Sequence, residues 1–298
     1  MTRMSMADLR ATAQPPEVMG RRNSEHWAGA LYLRRMSIFV TRLLVPTGIS
    51  ANGVTWLMIV TGVAGAAVLV WPSAWAVLVC ALAMQLQVLL DCSDGEIARV
   101  RKTTSPAGVY LDRVGHYITE ALLPIGLGIH VDGGLGSIAG WTTVGALTSV
   151  VVLLNKAFGD LIHVARAYAR LPLVSESAEV AAVRVGTLRK VRHGLRAFPF
   201  YRAFVAIEFS LITLVASTLD VIFGGHHVLR AWTAVMLPLA VVLAAGHLTA
   251  ILLSRRLSAG PAPGRLEREE MAATRRPTKP SPSAGITPPR RRRRPGAK

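Results

Sequence analysis

Acidic residues are scarce in this sequence of 298 residues: 17 Asp+Glu stand against 34 Lys+Arg, a formal charge of +17. Cysteine is nearly missing, with only Cys80 and Cys92. Cys80 lies inside an apolar run and Cys92 at the end of one, which argues against a disulfide framework. The first 45 residues carry Arg3, Arg10, Arg21, Arg22, Arg34 and Arg35 without an early apolar core, so no cleavable signal peptide is expected. Internal repeats are also lacking, which counts against a transporter built from duplicated, broken helices. Apolar side chain, by contrast, is abundant. Hydrophobic residues make up 51% of the chain and the mean hydropathy is +0.40, more than a soluble fold of this size needs. A chain both apolar and basic fits a membrane protein with positive cytoplasmic loops better than a nucleic-acid binder.

A helical crossing needs about 20 apolar residues. Six runs have that character: residues 52–71, 74–90, 107–130, 138–161, 200–223 and 231–253. Only Pro72 and Ser73 separate the first two, which predicts a tight helical hairpin. Trp71, Trp75, Trp141 and Trp232 sit near run ends, where amphipathic rings prefer the interface. The connections at Pro72, 132–137 and 224–230 hold one basic residue, Arg230. The opposite connections and both termini hold the others, among them Arg99, Arg101, Lys102, Arg166, Arg170, Arg184 and Arg189. This bias predicts a multi-pass protein of the cell membrane, with six crossings and both termini cytoplasmic.

Residues 24–48 read as an amphipathic juxtamembrane helix: Tyr32, Met36, Phe39 and Leu43 recur at helical spacing, with Arg34, Arg35 and Arg42 on other faces. Residues 1–23 and the Pro-, Ser- and Arg-rich stretch 258–298 are expected to be disordered. The tail's arginines suit anionic lipid, and a solvated tail with no specific partner accounts for them as well. A nucleic-acid role would rest on that tail alone, so none is expected. The expected fold is therefore all-α and integral to the membrane, an amphipathic interfacial helix followed by six transmembrane helices over residues 49–257.

Between the second and third runs lies Asp91-Cys-Ser-Asp94-Gly95-Glu-Ile-Ala98-Arg99, then Gly108-Val-Tyr-Leu-Asp112-Arg-Val-Gly-His116. Asp91 and Asp94, three apart, share a helix face, as do Asp112 and His116, four apart. The short loop makes the two helices antiparallel neighbours, able to turn both faces together at the cytoplasmic membrane edge. Three carboxylates converging there repel one another unless a cation neutralises them, and hard oxygen ligands select Mg²⁺, Mn²⁺ or Ca²⁺. Gly95, Ala98 and Gly108 have almost no side chain, which either leaves room for a ligand or lets the helices pack closely. Any one aspartate alone reads equally well as an interfacial ion-pair partner of Arg99 or Arg113. The constellation as a whole favours a metal.

Asp91, Asp94, Gly95, Ala98, Arg99, Gly108 and Asp112 match seven fixed positions of the pattern D-x-x-D-G-x-x-A-R-x8-G-x-x-x-D-x-x-x-D at the right intervals. In this the chain resembles the CDP-alcohol phosphotransferases, from about residue 24 to 254. The stretch Ile49-Ser-Ala-Asn52-Gly-Val-Thr55 is similar to the family's Pro-Asn-x-x-Thr element, with Ala51 in place of Pro. The resemblance implies transfer of a phosphoalcohol group from a CDP-alcohol, such as CDP-diacylglycerol, to an acceptor alcohol with release of CMP, in phospholipid biosynthesis. It implies further that Asp91, Asp94 and Asp112 hold Mg²⁺ (or Mn²⁺), that Arg99 contacts phosphate, and that Asn52, Thr55, Gly95, Ala98 and Gly108 surround the substrate. Membrane lipids and, by the habit of the family, a second copy of the chain are the remaining expected partners. One position departs: His116 stands where the family has the aspartate usually assigned as the base. Imidazole is a base near neutral pH and ligates Zn²⁺ or Mn²⁺ better than Mg²⁺, so His116 is expected as base and as a further ligand.

Polar residues of the fourth and fifth runs mark an acceptor pocket: Asn155, Lys156, Asp160 and His163, with Arg202 and Glu208. Charges at such depth are costly unless functional or paired. Lys156 with Arg202 suits a phosphorylated acceptor, while Lys156 and Asp160, four apart, satisfy each other equally well. Gln85, Gln87 and Glu120 read as helix-packing hydrogen bonders and Cys92 as a small packing residue. Two other classes stay open: a catalytically silent relative serving as a membrane-binding or scaffold protein, and a transporter.

Overall fold

The computed structural model describes residues 4–15, 32–171, 202–254 and 256–257. The chain is helical where the sequence is apolar, and helical in one place where disorder was expected. Helix α1 (Met6–Ala13) starts at Ser5, whose Oγ accepts from the Asp8 N–H at 3.1 Å and donates to its carboxylate at 2.6 Å. That reciprocal cap, with Leu9 and Ala13 buried beside Ile38, gives residues 6–13 an order that composition did not suggest. The first part of the expected amphipathic helix, the second half of the basic loop at 172–201 and the tail at 258–298 lie outside the described residues.

Helix α2 (Arg34–Leu44) turns Met36, Phe39 and Leu43 outward and buries Ser37, Ile38 and Thr41. Its inward face is thus partly polar. Among the described residues the remaining α-helices are α3 (Ala51–Val68), α4 (Ala74–Arg101), α5 (Pro106–Asp132), α6 (Gly140–Tyr168), α7 (Ala206–Phe223) and α8 (His227–Leu252). Five of them, α3, α4, α6, α7 and α8, are long and apolar enough to cross a membrane. Helix α5, with 27 residues, has the length, about 40 Å at 1.5 Å per residue, but His116, Glu120 and His130 reduce its apolar character.

Two helices outrun their apolar stretches. Helix α4 continues beyond Leu90 through the motif to Arg101, turning at Lys102 in the left-handed region (φ 56°). Helix α6 likewise continues past Leu161 to Tyr168. Hydropathy falls at both places while helical geometry persists, because backbone hydrogen bonding is indifferent to side-chain polarity. The whole stretch from Asp91 to Arg99 therefore lies on one rigid helix. Helix α5 begins with Ser105 accepting from the Gly108 N–H at 3.1 Å and with Pro106 at its first position.

Helices α4 and α5 turn their motif faces towards each other while their backbones stay apart. Helix α3 packs against both, and α4 and α5 approach each other mainly through side chains, such as Gln87 Nε2 to Thr119 Oγ1 at 3.1 Å. A groove remains between them. On its other side, α5 touches α6 backbone to backbone: a Cβ on Gly145 would lie 2.2 Å from the Pro124 carbonyl oxygen. Asp132 ties the same pair together by accepting from the N–H groups of Ala139, Trp141 and Thr142. Gly145→Val should therefore force α5 and α6 apart at a cost of about 2–3 kcal/mol or more. The expected outcome is a clearly lowered midpoint of thermal unfolding in detergent; an unchanged midpoint contradicts the backbone contact. The main core lies under α7 and α8, where Phe209 and Trp232 meet at a centroid distance of 5.9 Å beside Leu123, Leu127, Met84 and Met236.

Candidate functional site

The groove between α4 and α5 is spanned by three side chains. His116 Nε2 lies 3.2 Å from Asp91 Oδ1 and 3.4 Å from Asp112 Oδ1. One ligand atom from each of Asp91, Asp112 and His116 lies within 4.8 Å of the others. Donors set 2.0–2.6 Å from a common cation lie about 3–5 Å apart, so the spacing suits one divalent ion. Asp112 Oδ1 supports this reading, being a buried oxygen without a hydrogen-bond partner. Such an oxygen is costly unless something positive approaches it. Two carboxylate oxygens and an imidazole nitrogen form a mixed donor set, which accepts Mn²⁺ or Zn²⁺ more readily than Mg²⁺.

Asp94, the remaining expected ligand, is buried and does not join this trio. It faces α3, where Thr55 Oγ1 donates to its Oδ2 at 2.6 Å. Thr55 thus meets the motif through Asp94. Asn52, one turn earlier, meets it through Gly108: a Cβ on that glycine would lie 3.1 Å from Asn52 Oδ1. Ala98 packs with Val54, Met58 and Ile97, which favours the packing reading over open ligand space. Gly95 accommodates Arg99, whose Nη1 would be 3.3 Å from a Cβ there. Arg99 Nε donates to the carbonyl of Ala13 at 2.7 Å.

Beyond the trio opens a cleft of about 210 Å³ between α5 and α6, lined by Arg113, His116, Tyr117, Lys156 and Asp160. Arg202 is not among its lining residues. Of the two readings open for Lys156, the pairing with Asp160 is not the one formed. Lys156 Nζ instead meets Glu120 Oε2 at 3.0 Å, and Asp160 pairs with Arg113 and accepts from Tyr117 Oη at 3.1 Å. These partners lie across the helix interface, where spacing along a single helix cannot reveal them. Glu120, expected only to pack helices, also stands 3.9 Å from His116 Nδ1. Imidazole, carboxylate and ammonium therefore run in a row from the groove into the cleft. Asn155 points the other way, to His247 Nδ1 on α8 at 2.8 Å.

An acidic and imidazole cluster on α4 and α5, beside a polar cleft and among helices long and apolar enough to cross a membrane, has the donor set and spacing of a candidate divalent-metal site. The sequence model of the CDP-alcohol phosphatidyltransferase family matches residues 48–245, and the chain belongs to that family. No curated protein matches it significantly.

Proposed function

We propose that this protein is a membrane phosphotransferase that moves a phosphoalcohol group from a CDP-alcohol to an acceptor alcohol and releases CMP. The observation that carries the proposal is the convergence of Asp91, Asp112 and His116 on one point, in a chain of this family. A divalent cation held there, Mn²⁺ or Mg²⁺, would cancel phosphate charge that otherwise repels an incoming hydroxyl. Asp91 and Asp112 would hold it, with Asp94 fixed nearby by Thr55. Arg99 would contact a phosphate of the donor.

In the transfer, the acceptor oxygen attacks the phosphorus bearing the donated alcohol. The bond from that phosphorus to the bridging oxygen breaks, CMP leaves with the electron pair, and the hydroxyl proton passes to His116 Nε2. A single lone pair on Nε2 serves the proton or the metal, not both at once. In this reading it takes the proton, and of the three side chains Asp91 and Asp112 would hold the cation. The cleft lined by Tyr117, Lys156 and Asp160 would seat the acceptor next to that nitrogen.

The same reading makes α5 a sixth crossing, its polar residues shielded in the groove, and places both termini in the cytoplasm. The outward Met36, Phe39 and Leu43 of α2 would rest on the inner leaflet. Cys80 and Cys92 are buried, so an introduced thiol reports cleanly. A membrane-impermeant maleimide applied to intact cells should label Ser137→Cys and spare Thr104→Cys; the reverse pattern overturns the orientation. A second reading, a silenced relative acting as a membrane scaffold, is favoured by one observation, the histidine at position 116. Metal-dependent release of CMP from a supplied CDP-alcohol, stopped by EDTA and restored by Mn²⁺, separates the two.

A further inference from the structure

Glu96 occupies one of the variable positions between Gly95 and Ala98, and it is fully buried. Its carboxylate is surrounded by donors from two helices that precede the family-matched region. Oε1 accepts from Gln14 Nε2 at 2.8 Å and Ser37 Oγ at 2.6 Å, and Oε2 accepts from Thr41 Oγ1 at 2.7 Å. This explains why the inward face of α2 is partly polar. Gln14 caps the C-terminus of α1 and also donates to the Arg34 carbonyl at 2.7 Å. The carbonyl just before it, on Ala13, accepts from Arg99 Nε at 2.7 Å.

Glu96 and Arg99 are thus joined twice, along α4 and through the end of α1. Freed from α1, the Arg99 side chain would have several rotamers to choose from, and holding one of them in advance lowers the cost of binding an anion. Spending Nε on Ala13 also aims the two terminal nitrogens, which lie over Gly95.

We propose that Glu96 is a positioning residue: by holding Gln14, it fixes the α1 carbonyl that sets the direction of Arg99, so that α1 and α2 complete the donor site. The proposal rests on the reading that Arg99 contacts the donor's phosphates. A plain anchor for α1 and α2 would affect the amount and stability of folded protein, but not the affinity of the folded fraction for nucleotide.

The test measures binding of CDP in the presence of Mn²⁺ by calorimetry, on full-length protein recovered as a folded species. The variants are Gln14→Ala, Glu96→Ala, Arg99→Ala and Gln14→Ala combined with Arg99→Ala. Gln14 is only partly buried, so its variant remains informative even where Glu96→Ala fails to fold. Gln14→Ala is expected to weaken CDP binding roughly tenfold, the worth of a charge-assisted hydrogen bond partly lost. Arg99→Ala is expected to weaken it at least as much, and adding Gln14→Ala to Arg99→Ala should change nothing further. In turnover, the same loss should fall on KM for the CDP-alcohol more than on kcat. Unchanged affinity in Gln14→Ala, or independent multiplying effects of the two changes, overturns the positioning role alone. Absence of Mn²⁺-dependent CDP binding in the unaltered protein overturns the donor site itself, and the proposal with it.

Discussion

Asp112→Asn is expected to lower CMP release by a hundredfold or more and to abolish Mn²⁺-dependent nucleotide binding, while the protein still folds. The amide keeps the shape of the carboxylate and removes its charge. In the groove, Asp112 Oδ1 has no hydrogen-bond donor and faces His116 Nε2 at 3.4 Å, so little of the fold depends on its being charged. A cation there depends on it directly, since losing one charged ligand of three or four lowers divalent affinity steeply. Asp91→Asn should behave alike, because its Oδ1 stands 3.2 Å from the same nitrogen. Asp94→Asn should weaken nucleotide binding as well, and it additionally disturbs the Thr55 contact on α3. Nucleotide affinity that ignores EDTA and all three changes would remove the metal from the account.

His116→Ala is expected to reduce the rate by on the order of a hundredfold or more, the usual worth of a general base, with nucleotide binding largely kept. The separation from Asp112→Asn is the informative part. If His116 serves chiefly as a metal ligand, both variants should lose nucleotide together. If it serves chiefly as the base, His116→Ala should lose kcat and keep affinity, since the remaining carboxylates still hold the ion. Equal rates in the unaltered protein and His116→Ala would take the imidazole out of the reaction. The measurement is steady-state CMP release together with direct CDP titration on the same preparations.

The parts of this account legible in the sequence are those written along single helices. Asp91 and Asp94, or Asp112 and His116, declare a common face through their spacing of three or four residues, and runs of apolar residues declare membrane helices. Across helices, the meeting of Asp91 with Asp112 and His116 was also legible, and the ion pairs were not. Lys156 and Asp160 have ideal spacing for a pair, yet each finds its partner on α5 instead, at Glu120 and Arg113. The groove between α4 and α5 was hidden for a related reason: a short loop fixes which helices are consecutive, not which ones touch. Helix α1 was written in the sequence as Ser5-x-x-Asp8, a cap signal outweighed by the polar composition around it. Glu96, unremarkable between Gly95 and Ala98, gains its meaning only from Gln14, Ser37 and Thr41, which lie far from it in sequence.

On the proposed function, a chain carrying histidine at position 116 is a working transferase. The most direct test compares the unaltered protein with His116→Asp, each purified and incubated with a panel of CDP-alcohols, acceptor alcohols and either Mg²⁺ or Mn²⁺, with CMP as the readout. The unaltered protein is expected to release CMP in a metal- and acceptor-dependent manner. His116→Asp, which restores the family pattern, should retain or raise that activity and shift its preference towards Mg²⁺. Release of CMP by His116→Asp alone, with none from the unaltered protein under any donor and metal, would contradict the claim and identify a silenced member of the family.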